Sequence, residues 1–272
     1  MGIFDKLFGD KKQPEQVKQV QPLQHIEDWD TYFTNVDNQL GSILVDLGIA
    51  KIAPIAEKPT LIWISIKMNA PREDGLSSNE ESEKLYEIED HLADQLKSKM
   101  DSTYIGRLTS EGNRDLYFYF DNRLLFDKAI SDVMVNYPDY EYDFGTKDDS
   151  EWSVYLDFLF PLPQQYQAIQ NRRVLTNLES NGDDHNKARE VDHYLYFNTE
   201  DGRENFVSSI QNESFTVRNK DTKTEGDHRY MLHLTVFEPV DYDSINKRTI
   251  GLSESSANFN GIYDGWGCPI VK

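Results

Sequence analysis

The chain is 272 residues long, 38% hydrophobic and 12% aromatic, a composition that suits folded domains and excludes a disordered chain. Its 48 acidic against 28 basic side chains give a net charge of −20, which opposes binding to phosphate backbones and makes basic protein surfaces the natural counterpart. A single cysteine, Cys268, excludes an intrachain disulfide framework and a cysteine zinc cluster, and fits a reducing, cytoplasmic compartment.

Residues 1–9 lack the apolar run and cleavage site of a secretory signal. Ile3, Phe4, Leu7 and Phe8 suit a short frayed helix, and Lys6 stands where a myristoylation motif needs Ser or Thr. Residues 10–23 are rich in Gln and Lys and hold Pro14 and Pro22, so residues 1–26 read as a flexible arm. Trp29, Phe33, Val36, Leu40, Ile43, Leu44 and Leu47 then recur at three- and four-residue steps and predict an amphipathic helix stopped by Gly48. Residues 61–67, apolar on both faces, predict a central strand. Ser77 and Ser78 precede Glu80 and Glu81 at capping-box spacing, ahead of a helix carrying Leu85, Ile88, Leu92 and Leu96. Residues 102–108 and 115–120, separated by Glu111-Gly112-Asn113, predict a hairpin. A helix over 122–135 follows. Residues 140–144 and 151–160 predict a second hairpin, because Trp152, Val154, Leu156, Phe158 and Phe160 alternate.

Pro161 and Pro163 mark a boundary between domains at 27–161 and 164–272. Beyond it the pattern predicts a helix over 164–180, a strand over 190–197, a helix over 200–210, strands over 214–218 and 228–238, and a helix over 242–257. The strand endings Phe158–Pro161 and Val236–Pro239 also echo each other, which predicts two related units. The expected class is α+β: two α/β sandwich domains with antiparallel-rich sheets, ferredoxin-like. No apolar run approaches the roughly 20 residues needed to cross a bilayer.

The chain shows no catalytic constellation. There is no Gly-x-Ser-x-Gly elbow and no Gly-rich phosphate loop, and Cys268 lacks a basic neighbour to activate it. His228 and His233 fall on opposite faces of one strand, so they cannot share a metal. His193 points inward as a core histidine. His185 with Asp183 and Asp184 reads as a solvated loop, as does the pair Asp148-Asp149. No cofactor or metal is called for. The segment Gly261-Ile-Tyr-Asp-Gly-Trp-Gly267 stands apart: two glycines place a tryptophan, and Tyr263, Asp264 and Trp266 are the candidate protein-binding residues.

These residues carry a resemblance. The stretch Arg173-Val-Leu-Thr-Asn-Leu-Glu-Ser-Asn-Gly-Asp-Asp184, the strand Arg189–Phe197, the helix holding Phe206 and the closing Tyr263-Asp-Gly-Trp-Gly267 resemble the bacterial family regulator of ribonuclease E activity B. Cys268 replaces the threonine of that pattern. Trp63 in its strand and the strand over 116–120 resemble domain of unknown function 695, over about residues 27–161. The resemblance implies a non-catalytic, cytoplasmic, protein-binding regulator that inhibits or modulates an RNA-processing ribonuclease without touching RNA itself. The alternatives are an immunity protein that neutralises a toxin and a hydrolase whose site the sequence does not display.

Overall fold

A computed structural model describes residues 24–121 and 126–272. The N-terminal arm through residue 23 and the first turn of the helix expected at 122 lie outside the described residues. The first sheet opens with a hairpin, β1 (Trp29–Val36) and β2 (Gln39–Asp46), where a helix was expected. Asp37 and Asn38 hold φ of 50° and 67°. Two successive positive φ values define the turn whose twist matches an antiparallel pair, and Asp and Asn tolerate them best. The three- and four-step spacing is incidental: Tyr32, Ile43 and Val45 are buried by strand alternation, whereas Phe33 is 61% exposed.

Strand β3 (Thr60–Lys67) is paired on both sides, as expected. Helix α1 (Asn79–Met100) starts where Ser78 accepts a hydrogen bond from the Glu81 amide at 3.4 Å. The reciprocal half of the capping box is not made. The Glu81 carboxylate accepts from the amides of Asn69 and Ala70 instead and ties the helix start to the loop after β3. Strands β4 (Thr103–Ser110) and β5 (Asn113–Phe120) form the expected hairpin, with Glu111 and Gly112 both at positive φ. Helix α2 (Phe126–Met134) and strand β6 (Tyr142–Asp148) complete a six-stranded antiparallel sheet of order β1-β2-β4-β5-β3-β6. Helices α1 and α2 cover one face, where Leu85, Ile88 and Leu92 of α1 and Ile130 of α2 share a core with Ile62, Ile64 and Phe118 of the sheet.

The other face is closed by residues 152–160, which form no strand. Val154–Leu159 is a π-helical turn, and the buried residues are Trp152, Tyr155 and Leu159 at steps of three and four. Asp149 dictates this. Far from standing in a solvated turn, it is 6% exposed and accepts from the Ser153 amide and hydroxyl, the Val154 amide and the Tyr119 hydroxyl. A buried carboxylate so supplied starts a helical turn, and it overrides the alternation of the side chains that follow.

The second sheet is built from β7 (Arg189–Phe197), β8 (Thr216–Thr222), β9 (Tyr230–Glu238) and β10 (Gly261–Gly267), all antiparallel, in the order β10-β7-β9-β8. Helices α4 (Glu200–Ser209) and α5 (Tyr242–Ala257) make the crossovers. The expected echo between the halves fails at this level, because Val236–Glu238 is strand and Phe158–Leu159 is not. Both domains are α+β with antiparallel sheets.

Helix α3 (Pro163–Ser180) joins the halves. Ile169 packs in the core under the first sheet, while Leu175 and Leu178 pack in that of the second. On the same helix Arg172 and Arg173 are ion-paired with Asp30 and Asp28 around β1, with Arg173 Nε 2.7 Å from Asp30 Oδ2 and Nη2 2.8 Å from Asp28 Oδ1.

Candidate protein-binding groove

The segment singled out by its glycines and tryptophan is an edge strand, β10, which the sequence pattern does not assign as a strand. It pairs with β7 on one side and leaves the other side of its backbone open. Its pairing register shifts between Tyr263 and Gly265, so Asp264 sits in a β-bulge. Gly265 has φ +147°, a conformation that L side chains rarely adopt, and this is the glycine the bulge requires. Gly267 is under no such constraint: a Cβ there would meet nothing within 4 Å. The tight spot is Gly261, where a Cβ would fall 2.5 Å from Cε1 of the buried Phe197.

The bulge sends the three candidate residues in different directions. Tyr263 is half-buried, and its hydroxyl lies 2.8 Å from His193 Nδ1 in the interior, not at a rim. Burial pushes its phenol well above the ordinary range. Asp264 is exposed, and its carboxylate forms no ion pair among the described residues. Trp266 is half-buried. It packs against the cluster of Leu175, Val191, Val236 and Ile245, and its indole Nε1 donates to Asn171 Oδ1 at 2.9 Å.

Asn171 is a residue that the sequence pattern does not single out. It is fully buried on α3 and uses its whole amide. Its Oδ1 accepts from Trp266 and from Gln167, and its Nδ2 donates to Asn246 and Thr249 of α5. An asparagine inside a helix competes with the backbone for hydrogen bonds, so its place in mid-helix was the available signal of a tertiary duty.

Together α3 and β10 wall an open groove of about 580 Å³, lined among others by Tyr166, Gln170, Asn171, Tyr263, Asp264 and Trp266. Tyr166, on the α3 wall, is 39% exposed, and Leu162 beside it is 63% exposed. Arg173 also reaches the groove, but Asp28 and Asp30 take its charge. A second hollow, of about 450 Å³, is lined by Glu213, Glu238, Lys247 and Arg248, and there Arg248 pairs with both carboxylates.

The remaining polar candidates are structural. His193 is fully buried, and burial, aided by the positive charge of Arg248, pushes its imidazole down to about 3. His233 Nε2 donates to the Asp192 carboxylate at 2.8 Å on the opposite face of the sheet from His193. Asp183 is ion-paired with Arg189 and accepts from the Val271 amide through the same oxygen, Oδ1, while its Oδ2 lies 3.8 Å from His185 Nε2. Burial raises the Cys268 thiol, the wrong direction for a nucleophile. Glu89 is buried between Arg107 and Arg114 in the first half and completes an internal charge cluster. Among the described residues no three His, Cys, Asp or Glu side chains are grouped to hold a metal, and no helix is long and apolar enough to cross a membrane.

The fold defines a tandem α+β protein with an open groove between α3 and β10. Comparison with known families finds two matches. Residues 27–160 match a family of unknown function, DUF695, and residues 168–268 match the family described as regulator of ribonuclease activity B. The chain thus carries both resemblances in tandem, in the order read from its sequence. The second match ends just past Trp266. The comparison with curated proteins finds no match. Similar solved structures include an unknown protein from Galdieria sulphuraria, at 10% identity over 79% of this chain and 100% of that one, with a TM-score of 0.22. A putative glycine cleavage system transcriptional repressor is 8% identical over 77% of this chain and 98% of that one, with a TM-score of 0.24.

Proposed function

We propose that this protein is a non-catalytic regulator that binds an RNA-processing ribonuclease through the groove between α3 and β10. The observation that supports it most is the family match over residues 168–268, which includes β10 and the part of the α3 wall from Gln170 onward. Tyr263, Asp264 and Trp266 are the contact candidates: an aromatic pair beside a free carboxylate at the open edge of a sheet is the makeup of a binding hot spot. The partner is reached through protein contacts, not through RNA. Residues 164–272 carry 12 basic and 17 acidic side chains and the remainder 16 and 31, so neither half offers phosphate a positive surface.

The test is a pulldown from the native cell with the full chain, followed by a cleavage assay on the retained enzyme. A retained ribonuclease whose RNA cleavage changes when the protein is added at stoichiometric amounts supports the reading. Retention of a toxin instead moves the protein to the immunity class. Sub-micromolar binding of RNA to the purified protein in a filter assay rejects the claim that protein contacts alone carry the interaction.

A further inference from the structure

We propose that the groove between α3 and β10 receives a cationic side chain, arginine or lysine, from an apolar segment of the protein partner. This rests on the reading of the groove as the docking site and names the chemistry it selects. The charge argument comes first. The charged side chains lining the groove are Arg173 and Asp264. Arg173 is already balanced, because Asp28 and Asp30 hold it while Arg172 shares Asp30. Asp264 is exposed in its bulge with no ion pair among the described residues, so the groove carries one uncompensated negative charge. Around it the surface is aromatic and neutral: Tyr166 with the amides of Gln170 and Asn177 on the α3 wall, Tyr263 and Trp266 on the other. Aromatic faces and a carboxylate together favour a cation on an aliphatic stem, since the ring faces attract the charge and the stem covers apolar surface. They disfavour an anionic segment outright.

The rigidity of the site supports the same occupant. Tyr263 is fixed by its hydrogen bond to His193, and Trp266 by its bond to Asn171, so neither ring must be ordered when a ligand enters. Gly265 at φ +147° sets the direction of the Asp264 side chain through the bulge. A net charge of −20 over the whole chain draws a positive segment toward this face during encounter.

The probes are the capped peptide Ac-Leu-Arg-Leu-NH2 and its neutral isostere with citrulline in place of arginine, titrated into the full chain at low salt. The indole N–H resonance of Trp266, identified with Trp266→Phe, reports the groove, and those of Trp63 and Trp152 serve as internal controls. The arginine peptide is expected to shift Trp266 alone and to bind about fivefold more tightly than the citrulline peptide, the size of one ion pair in a half-open site. Asp264→Asn is expected to bring the arginine peptide down to the citrulline level while the thermal melt stays put. Equal binding of the two peptides overturns the proposal, as does a silent Trp266 resonance at millimolar peptide or an arginine preference that survives Asp264→Asn. The two readings fail separately. Ribonuclease retention without peptide discrimination removes the cation site and leaves the regulator reading standing; discrimination with no ribonuclease retained does the reverse.

Discussion

Asn171 shows how one buried side chain can fix both walls of a groove. From a fully buried position it ties α3 to α5 and to Trp266 with three hydrogen bonds, and a fourth comes from Gln167 on its own helix. Removing it leaves the Trp266 indole N–H and the Thr249 and Asn246 oxygens with one partner fewer. Asn171→Ala is therefore expected to cost about 2–3 kcal/mol in a denaturant titration. Trp266→Ala, which loses packing as well as a bond but starts half-exposed, should cost about 2–4 kcal/mol. A Trp266→Ala protein as stable as the parent would show that its ring serves binding alone. His193 supplies a pH signature. It is neutral in the fold, with its pKa pushed down to about 3, and ordinary in the unfolded chain near 6.5. The unfolded state thus takes up a proton that the folded state refuses, and stability falls as pH drops below about 6.5 toward 3. Above that range the group contributes no slope. His193→Gln is expected to flatten this acid-side loss when denaturation midpoints are compared between pH 7 and pH 4; an unchanged slope would place the loss elsewhere.

At the scale of elements, what was legible depended on whether local pattern and tertiary demand agreed. Strand β3, helix α1 with its Ser78 cap, the β4–β5 hairpin and helices α3 and α5 follow from periodicity and turn residues. The misreadings have physical causes. Asp37-Asn38 is a hairpin turn without glycine, so a helical spacing that leaves Phe33 facing solvent prevails over it in the sequence. The alternation after Trp152 is genuine but irrelevant, because Asp149, one acid among many in the sequence, organises a helical turn through four donors. Strand β10 stands out as a motif and not as a strand, since its three glycines lower strand propensity and hide the pairing with β7. Those glycines are not equivalent, and substitution separates them. Gly261→Ala places a methyl against the immobile Phe197 ring and should cost about 2 kcal/mol. Gly267→Ala meets open space and should stay within about 0.5 kcal/mol of the parent. Equal melting temperatures for the two variants would contradict the packing described for β10. Within the candidate site, Tyr263, Asp264 and Trp266 are visible by composition, whereas the opposite wall is not, because nothing in sequence brings residues 166–177 to residues 263–266.

For the whole molecule, α3 decides how the halves behave. Ile169 lies beyond the proline pair and within the second half, yet it is 1% exposed in the core beneath the first sheet. Arg172 and Arg173 bind the first strand from the same helix. The expected consequence is coupled unfolding: Ile169→Ala should remove about 2–4 kcal/mol and shift one calorimetric transition that spans both sheets. Two well-separated transitions, with only the later or earlier one moved, would show that the halves melt independently.

The shared helix also means that ancestry and mechanics draw different borders. The two family matches stop at residue 160 and resume at residue 168, as though a spacer lay between them, but the helix that begins at Pro163 belongs to both cores. Cutting the chain at the prolines would leave the first piece with a hole where Ile169 sat and two unpaired aspartates at the start of β1. The second piece would keep the groove but present Ile169 and two bare arginines to water beside it. A fragment made to isolate the regulator-like half would thus carry a new positive patch next to Asp264, and binding measured on it would describe a surface that the intact protein never displays.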